Sequence, residues 1–128
     1  MTYSIIARDK KTGEMWVAVQ THWFGVGNNV PWLEAGVWAI ATQAQTEMKY
    51  GKHGLKLLAQ WKTPKEVIQE IWKDDAWFDM RQVGIIDNEW NIAVHSPENF
   101  IKYTGFFTWE DYIIMWNILD NDSILQIM

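Results

Sequence analysis

The sequence predicts an α+β protein in which one layer of helices packs on a mainly antiparallel sheet. Three observations carry that prediction. Strand-like alternation opens the chain on both sides of a tight turn, two helical segments occupy the middle, and strand patterns return from Arg81 onward. Residues 1–128 read as a single domain, with no internal repeat, low-complexity stretch or linker.

Thr2 to Arg8 alternates, with Tyr3, Ile5 and Ala7 on one face and Thr2, Ser4, Ile6 and Arg8 on the other. Asp9-Lys10-Lys11-Thr12-Gly13 supplies a turn. Met15 to His22 is a second strand, with Trp16, Ala18, Gln20 and His22 opposite Val17, Val19 and Thr21, so the two are expected to form an antiparallel hairpin. Gly25 and Gly27 loosen the chain, and Pro31 argues against a central strand there. Gly36 to Ala44 is mostly apolar and reads as a strand buried on both faces.

Tyr50 to Ala59 is the first expected helix, with Leu55, Leu58 and Ala59 on its core side. Thr63-Pro64-Lys65-Glu66 starts the second: an N-cap, a proline at the first helical position and a glutamate three residues on. Val67, Ile68, Ile71 and Trp72 form its apolar stripe. Arg81–Asp87 and Asn91–His95 predict a second hairpin around Asp87-Asn88-Glu89-Trp90. Phe100 to Phe107 reads as a further strand. Asp111 to Leu119 fits strand or helix, and strand is the reading adopted; Asp120 to Met128 is weakly determined.

Composition bounds the function. Hydrophobic residues make up 48% of the chain and charged residues 21%, as in a water-soluble globular domain. A net charge of -5 without a Lys/Arg cluster argues against a nucleic-acid partner. The absence of cysteine removes disulfides, a thiol nucleophile and cysteine-ligated zinc. MTYSIIARDKK lacks the apolar core of a signal peptide, and no apolar run is long enough to cross a bilayer, so a cytoplasmic protein without a membrane partner is expected. Ten tryptophans is far above ordinary usage.

The segments TYSIIARDKKTGE, VAVQTHWFGVG, VPWLEAGVWAIATQA, YGKHGLKLL, RQVGIIDNEWNIAVHS and the NIL beginning at Asn117 together resemble the family called domain of unknown function 1028. Its members look like relatives of the N-terminal-nucleophile (Ntn) hydrolases. The resemblance implies a four-layer αββα sandwich with largely antiparallel sheets, of which this chain supplies one helix layer and much of the sheets. Family members extend beyond the point where this sequence stops, so the second half is expected to be incomplete, with a homo-oligomer covering the open sheet or the chain being a fragment. Seven tryptophans (16, 38, 61, 77, 90, 109 and 116) stand where the family carries glycine. This motivates the hypothesis that some are UGA codons read as glycine in the source organism, which UGG codons at all seven sites would refute. The alternative is a diverged chain repacked around its tryptophans. Trp16 and Trp38 are expected to crowd inner strands, and Trp90 to occupy a left-handed turn position.

The same resemblance directs attention to Thr2. If Met1 is removed, Thr2 presents a hydroxyl and a free α-amine, and the amine can act as base for its own hydroxyl. Many chains begin Met-Thr without using it. No lysine occupies a recognisable Ntn position after the second strand; His22 stands there instead, expected beside Thr2 or Ser4 as a general base. The alternative for His22 is a strand-end histidine bonded to a loop carbonyl. Thr42 and Gln43 are candidate oxyanion donors. Glu47, which matches Glu or Asn in the family, is a candidate substrate ligand or a solvated loop carboxylate. Arg81 is a candidate carboxylate clamp or a partner of Asp79 or Asp87. His95 and Asn117 are further candidate polar contacts to substrate.

The three histidines fall on separate elements and no HExxH occurs, so neither a metal nor any other cofactor is expected. The reading is an Ntn-type hydrolase acting on an amide bond of a small-molecule or peptide-like substrate. The alternatives are a non-catalytic relative that binds a ligand or partner, and a non-functional fragment.

Overall fold

A computed structural model describes residues 1–98 and 103–119. Eight strands and two helices follow one another as β1 (Thr2–Arg8), β2 (Met15–Thr21), β3 (Pro31–Glu34), β4 (Trp38–Ala44), α1 (Met48–Leu58), α2 (Pro64–Trp72), β5 (Arg81–Asp87), β6 (Ile92–His95), β7 (Gly105–Trp109) and β8 (Tyr112–Asn117). The strands form two four-stranded sheets, β2-β1-β8-β7 and β3-β4-β5-β6, and every pairing is antiparallel. The residue pattern alone predicts one sheet. Alternation marks a strand but not its partner, and β8 joins β1 from more than a hundred residues away in sequence.

The strands expected at both hairpins form with the expected pairing. Pro31 opens β3, an edge strand whose missing N–H breaks no inner ladder. Phe100–Phe107 is realised only from Gly105 on, as part of β7; its residues 100–102 and the segment Asp120–Met128 lie outside the described residues. The open choice at Asp111–Leu119 resolves to strand β8. Helix α1 starts two residues before Tyr50 because Glu47 caps it, accepting the Lys49 N–H at 3.0 Å. At α2 the capping box closes both ways. Thr63 N–H donates to Glu66 Oε2 at 2.8 Å and Glu66 N–H donates to Thr63 Oγ1 at 3.4 Å, an arrangement worth about 1 kcal/mol.

Both helices lie on one face of the second sheet. Trp38, Ile40, Tyr50, Leu58, Val67 and Val83 form the core between them. A second core fills the space between the sheets, where Ile6, Met15 and Met115 meet Ala39, Ala41 and Ile86. The sheets approach closely because the facing residues are small: a Cβ on Gly84 would sit 3.0 Å from Met115 and 3.4 Å from Ile113. The outer face of the first sheet bears Trp16, Ile5, Ile114, Phe107 and Trp109, and no described helix covers it. No described helix is long and apolar enough to cross a membrane.

The tryptophans divide by environment. Trp16 was expected on an inner strand, but β2 is an edge and the indole points outward, half exposed. Trp38 is buried in the helix–sheet core, as expected. Trp61 follows α1 with φ 64° in a Schellman motif: its N–H donates to Leu58 O at 2.9 Å and Lys62 N–H donates to Leu57 O at 3.3 Å. Trp90 has φ 70° in the β5–β6 turn. Both are positions that favour glycine.

Candidate functional site

Thr2 heads β1 and stands opposite Thr21 of β2 on one side and Asn117 of β8 on the other. Side chains alternate along a strand, and directly opposed residues share a face. These three therefore form one row facing the gap between the sheets. Across the gap, Gln43 of β4 opposes Gln82 of β5. The inter-sheet core is thus apolar along most of its length and polar at the end where Thr2 sits. Thr2 is 8% exposed, Asn117 and Gln43 each 1%, and Gln82 0%.

The polarity of this row follows from its acceptors. Gln82 Nε2 lies 2.9 Å from Gly105 O, 3.2 Å from Trp116 O and 2.9 Å from Ser96 Oγ. Carbonyl oxygens only accept, so the amide nitrogen of Gln82 must face them. Its Oε1 then accepts from Gln43 Nε2 at 2.6 Å and Asn117 Nδ2 at 3.2 Å. Gln43 is left with Oε1 buried and unpartnered, which costs about 1–3 kcal/mol unless something donates to it.

A second chain of bonds runs through Thr21. Its hydroxyl lies 3.0 Å from Met1 O, which only accepts, so Thr21 spends its single proton there. The 3.0 Å contact between Thr2 Oγ1 and Thr21 Oγ1 must then be donated by Thr2. Trp23 N–H also points to Thr21 Oγ1, at 3.4 Å.

Thr2, Thr21, Gln43, Gln45 and Asn117 line an open cavity of about 430 Å³, with Trp23, Phe24 and Ile118 among its apolar walls. No Asp, Glu, Lys, Arg or His is among its described lining residues. Two wall residues are strained: Ala44 ends β4 with φ 66° and Ile118 follows β8 with φ 53°. Left-handed backbone at non-glycine residues tends to gather at functional sites.

The structure brings three of the eight sequence candidates, Thr2, Gln43 and Asn117, to this cavity. β2 ends at Thr21, one residue short of the expected His22, which lies exposed beyond the strand. His22 Nδ1 lies 3.4 Å from the Met1 amine and 3.5 Å from Met1 O, so it flanks Met1 and not the Thr2 hydroxyl or Ser4. Thr42 is on the helix side of β4, away from the cavity, and the Gln43 amide gives one of its two N–H bonds to Gln82. Glu47 serves as the cap of α1.

Arg81 faces the helices. Its partner is Asp75, not Asp79 or Asp87: Nε and Nη2 both donate to the Asp75 carboxylate, the latter at 3.2 Å, and Nη1 donates to Gln45 O at 2.6 Å. Tyr50 also donates to Asp75. Arg81, followed by the Tyr50 and Trp77 donors, holds the Asp75 carboxyl at about 2. Burial and the neighbouring Asp75 push the Tyr50 hydroxyl up. His95 stacks on Phe78 with ring centroids 3.7 Å apart, and its Nε2 lies 3.1 Å from Phe78 O. Burial lowers its pKa. Among the described residues no group of three or more His, Asp or Glu is placed to hold a metal.

Two members of the site, Thr21 and Gln82, do not stand out in the sequence. Thr21 was accessible, since the hairpin places it opposite Thr2. Gln82 acts through partners dozens of residues away, which no local pattern reveals.

Fold and site together define an α+β protein of two antiparallel sheets, with a pocket of mixed polar and apolar lining at the first residue of its first strand. The chain belongs to DUF1028, a family of unknown function whose model matches residues 2–128. It is also similar to the crystal structure of protein SPO2555 from Silicibacter pomeroyi, assigned to the same family. The two superpose with a TM-score of 0.88 at 25% identity, over 98% of this chain and 58% of that one. The chain therefore spans little more than half the length of that relative. No curated protein matches it.

Proposed function

We propose that the protein is an amide hydrolase of the Ntn type, with Thr2 as nucleophile once Met1 is removed. The observation that carries this reading is the position of Thr2, which heads β1 and lines the cavity, its hydroxyl hydrogen-bonded to Thr21. Met1 is 37% exposed, within reach of an aminopeptidase. Its removal creates the Thr2 α-amine beside the hydroxyl and frees the Thr21 proton from the Met1 carbonyl.

In the reaction the neutral α-amine takes the hydroxyl proton and Oγ1 attacks the amide carbonyl carbon. The C–N bond breaks, the amine leaves with that proton, and water then hydrolyses the acyl–Thr2 ester. Asn117 Nδ2 has a second N–H beyond the one given to Gln82, and it is the candidate donor to the oxyanion. Release of p-nitroaniline from a panel of N-acyl p-nitroanilides tests the reading. Thr2→Ser should retain turnover and Thr2→Ala should abolish it with folding unchanged; equal rates in wild type and Thr2→Ala would refute it.

A second reading, a binding protein that keeps Met1, is favoured by one contact: the Met1 carbonyl accepts from Thr21 and Met1 itself lines the cavity.

A further inference from the structure

The cavity beside Thr2 has an apolar wall that the described fold leaves in water. The chain leaving β2 carries Trp23 and Phe24, and both line the cavity. Phe24 is fully exposed and Trp23 is 71% exposed. The wall is tied to the candidate nucleophile: Trp23 N–H donates to Thr21 Oγ1 at 3.4 Å, the same oxygen that accepts from Thr2. The Trp23 ring lies 5.2 Å from the His22 ring, which itself flanks Met1. Adjacent large apolar side chains left in water beside a cavity mark a place where a bound molecule covers them.

The rest of the lining narrows the occupant. Val26 and Ile118 add apolar surface, whereas Thr2, Thr21 and Asn117 bring polar groups. No described lining side chain is charged, so a carboxylate or ammonium on the body of a ligand would find no side-chain counter-ion. A volume of about 430 Å³ suits a small molecule. Indole and phenyl rings favour a flat partner, because ring pairs gain from offset or edge-to-face contact beyond the area they cover. We propose that Trp23 and Phe24 determine specificity at this site by covering a broad apolar group, an aromatic ring above all, that the substrate carries beside its amide bond. The inference rests on the Thr2 reading for the amide, and on the cavity wall for the group beside it.

The test is NMR titration of the full-length Thr2→Ala chain, which lacks the nucleophile and keeps the wall. The probes are N-methyl-2-naphthamide, N-methylhexanamide and N-methylacetamide. The naphthamide should bind about tenfold tighter than the hexanamide, with the acetamide weakest. Trp23→Ser with Phe24→Ser in the same background should erase the naphthamide's advantage. Trp16→Ser, which removes a half-exposed indole from the outer face of the first sheet, should leave it intact. Equal binding of the naphthamide and either other amide would overturn the proposal, as would an unchanged advantage in the double variant, an equal loss in Trp16→Ser, or no binding of any probe. So would signals of residues 23 and 24 that shift with protein concentration alone, which would make the wall a contact between copies of the chain. If the double variant does not fold, Phe24→Ser decides, since that side chain is fully exposed. Equal binding in Thr2→Ala would refute this inference and leave the nucleophile reading untouched. Naphthamide selectivity in a chain whose wild type releases no p-nitroaniline would do the reverse.

Discussion

Thr2 and Thr21 face each other across the β1–β2 ladder with their hydroxyls 3.0 Å apart, and the proton between them belongs to Thr2. Thr21 therefore holds the candidate nucleophile in one rotamer while Met1 is present, and stands beside the new amine when it is gone. Thr21→Val keeps the shape and β-branching but removes the acceptor. We expect amide turnover to fall about tenfold, the scale of one hydrogen bond of ~0.5–1.5 kcal/mol. The drop should appear in kcat with KM little changed, and the melting temperature should move by only a few degrees. An unchanged kcat would remove Thr21 from the site.

Trp61 and Trp90 give a paired prediction about the backbone. Each holds a left-handed conformation, with φ 64° and 70°, at a cost to a non-glycine residue of about 1–2 kcal/mol. Trp61 is 81% exposed and packs against little, so Trp61→Gly should relieve strain and raise the melting temperature by several degrees. Trp90 lies under the Arg8 guanidinium, 4.1 Å from the ring centroid. Trp90→Gly forfeits that cation–π interaction, worth roughly 0.5–1 kcal/mol, so its gain should be smaller. Thermal unfolding of both variants checks the order. A destabilised Trp61→Gly would contradict the strain argument and weaken the hypothesis that glycine is the residue the source organism inserts there.

Helix α1 contains a glycine of the opposite kind. Gly51 lies against Trp32 of β3, and a Cβ built there would fall 2.0 Å from the indole ring. Alanine would improve helix propensity by about 1 kcal/mol but would force the ring or the helix to move, at about 1–3 kcal/mol. Gly51→Ala should therefore destabilise the chain in urea unfolding, and Trp32→Leu should convert the same substitution into a neutral or stabilising one.

Acid should unfold the protein through two identifiable groups. Partial burial holds the His95 pKa below the ordinary 6.5, so its stabilising contribution is present above 6.5 and is lost as pH falls below that value. Asp75 ionises at about 2 against an ordinary 3.8, so the stability it contributes is present above 3.8 and is lost as pH falls from there toward 2. Asp75→Asn should be less stable than wild type at pH 7 and should show a shallower loss between about pH 4 and pH 2. His95→Phe, which preserves the stack on Phe78, should flatten the first stage only. Melting temperature against pH in the three proteins measures both.

The sequence carried the local devices well and the long-range ones poorly. The Thr63–Glu66 capping box and the alternation of β1 and β2 depend on neighbours three residues away or one turn away, and they are realised as expected. Alternation also separated Thr2, Ser4 and Ile6 from Tyr3, Ile5 and Ala7. It did not say which set faces inward, and the outer set looks the more apolar. The inner end is polar because the cavity is there, so the rule that apolar faces point inward fails where the candidate site lies. His22 reads as the last residue of β2 in the sequence, but the strand ends at Thr21 and His22 lies exposed just beyond it. The Asp75–Arg81–Tyr50 cluster and the Gln43–Gln82–Asn117 row join segments that only tertiary folding brings together.

The proposed reaction requires Thr2 to become the N-terminal residue and to carry the acyl group. Peptide mass spectrometry of the purified chain, after brief exposure to an N-acyl p-nitroanilide, tests it directly. If Thr2 is the nucleophile, the N-terminal peptide lacks Met1 and carries the acyl group on Thr2, with no acylation in Thr2→Ala. A mature chain that retains Met1, or an acyl group found on another residue, would contradict it.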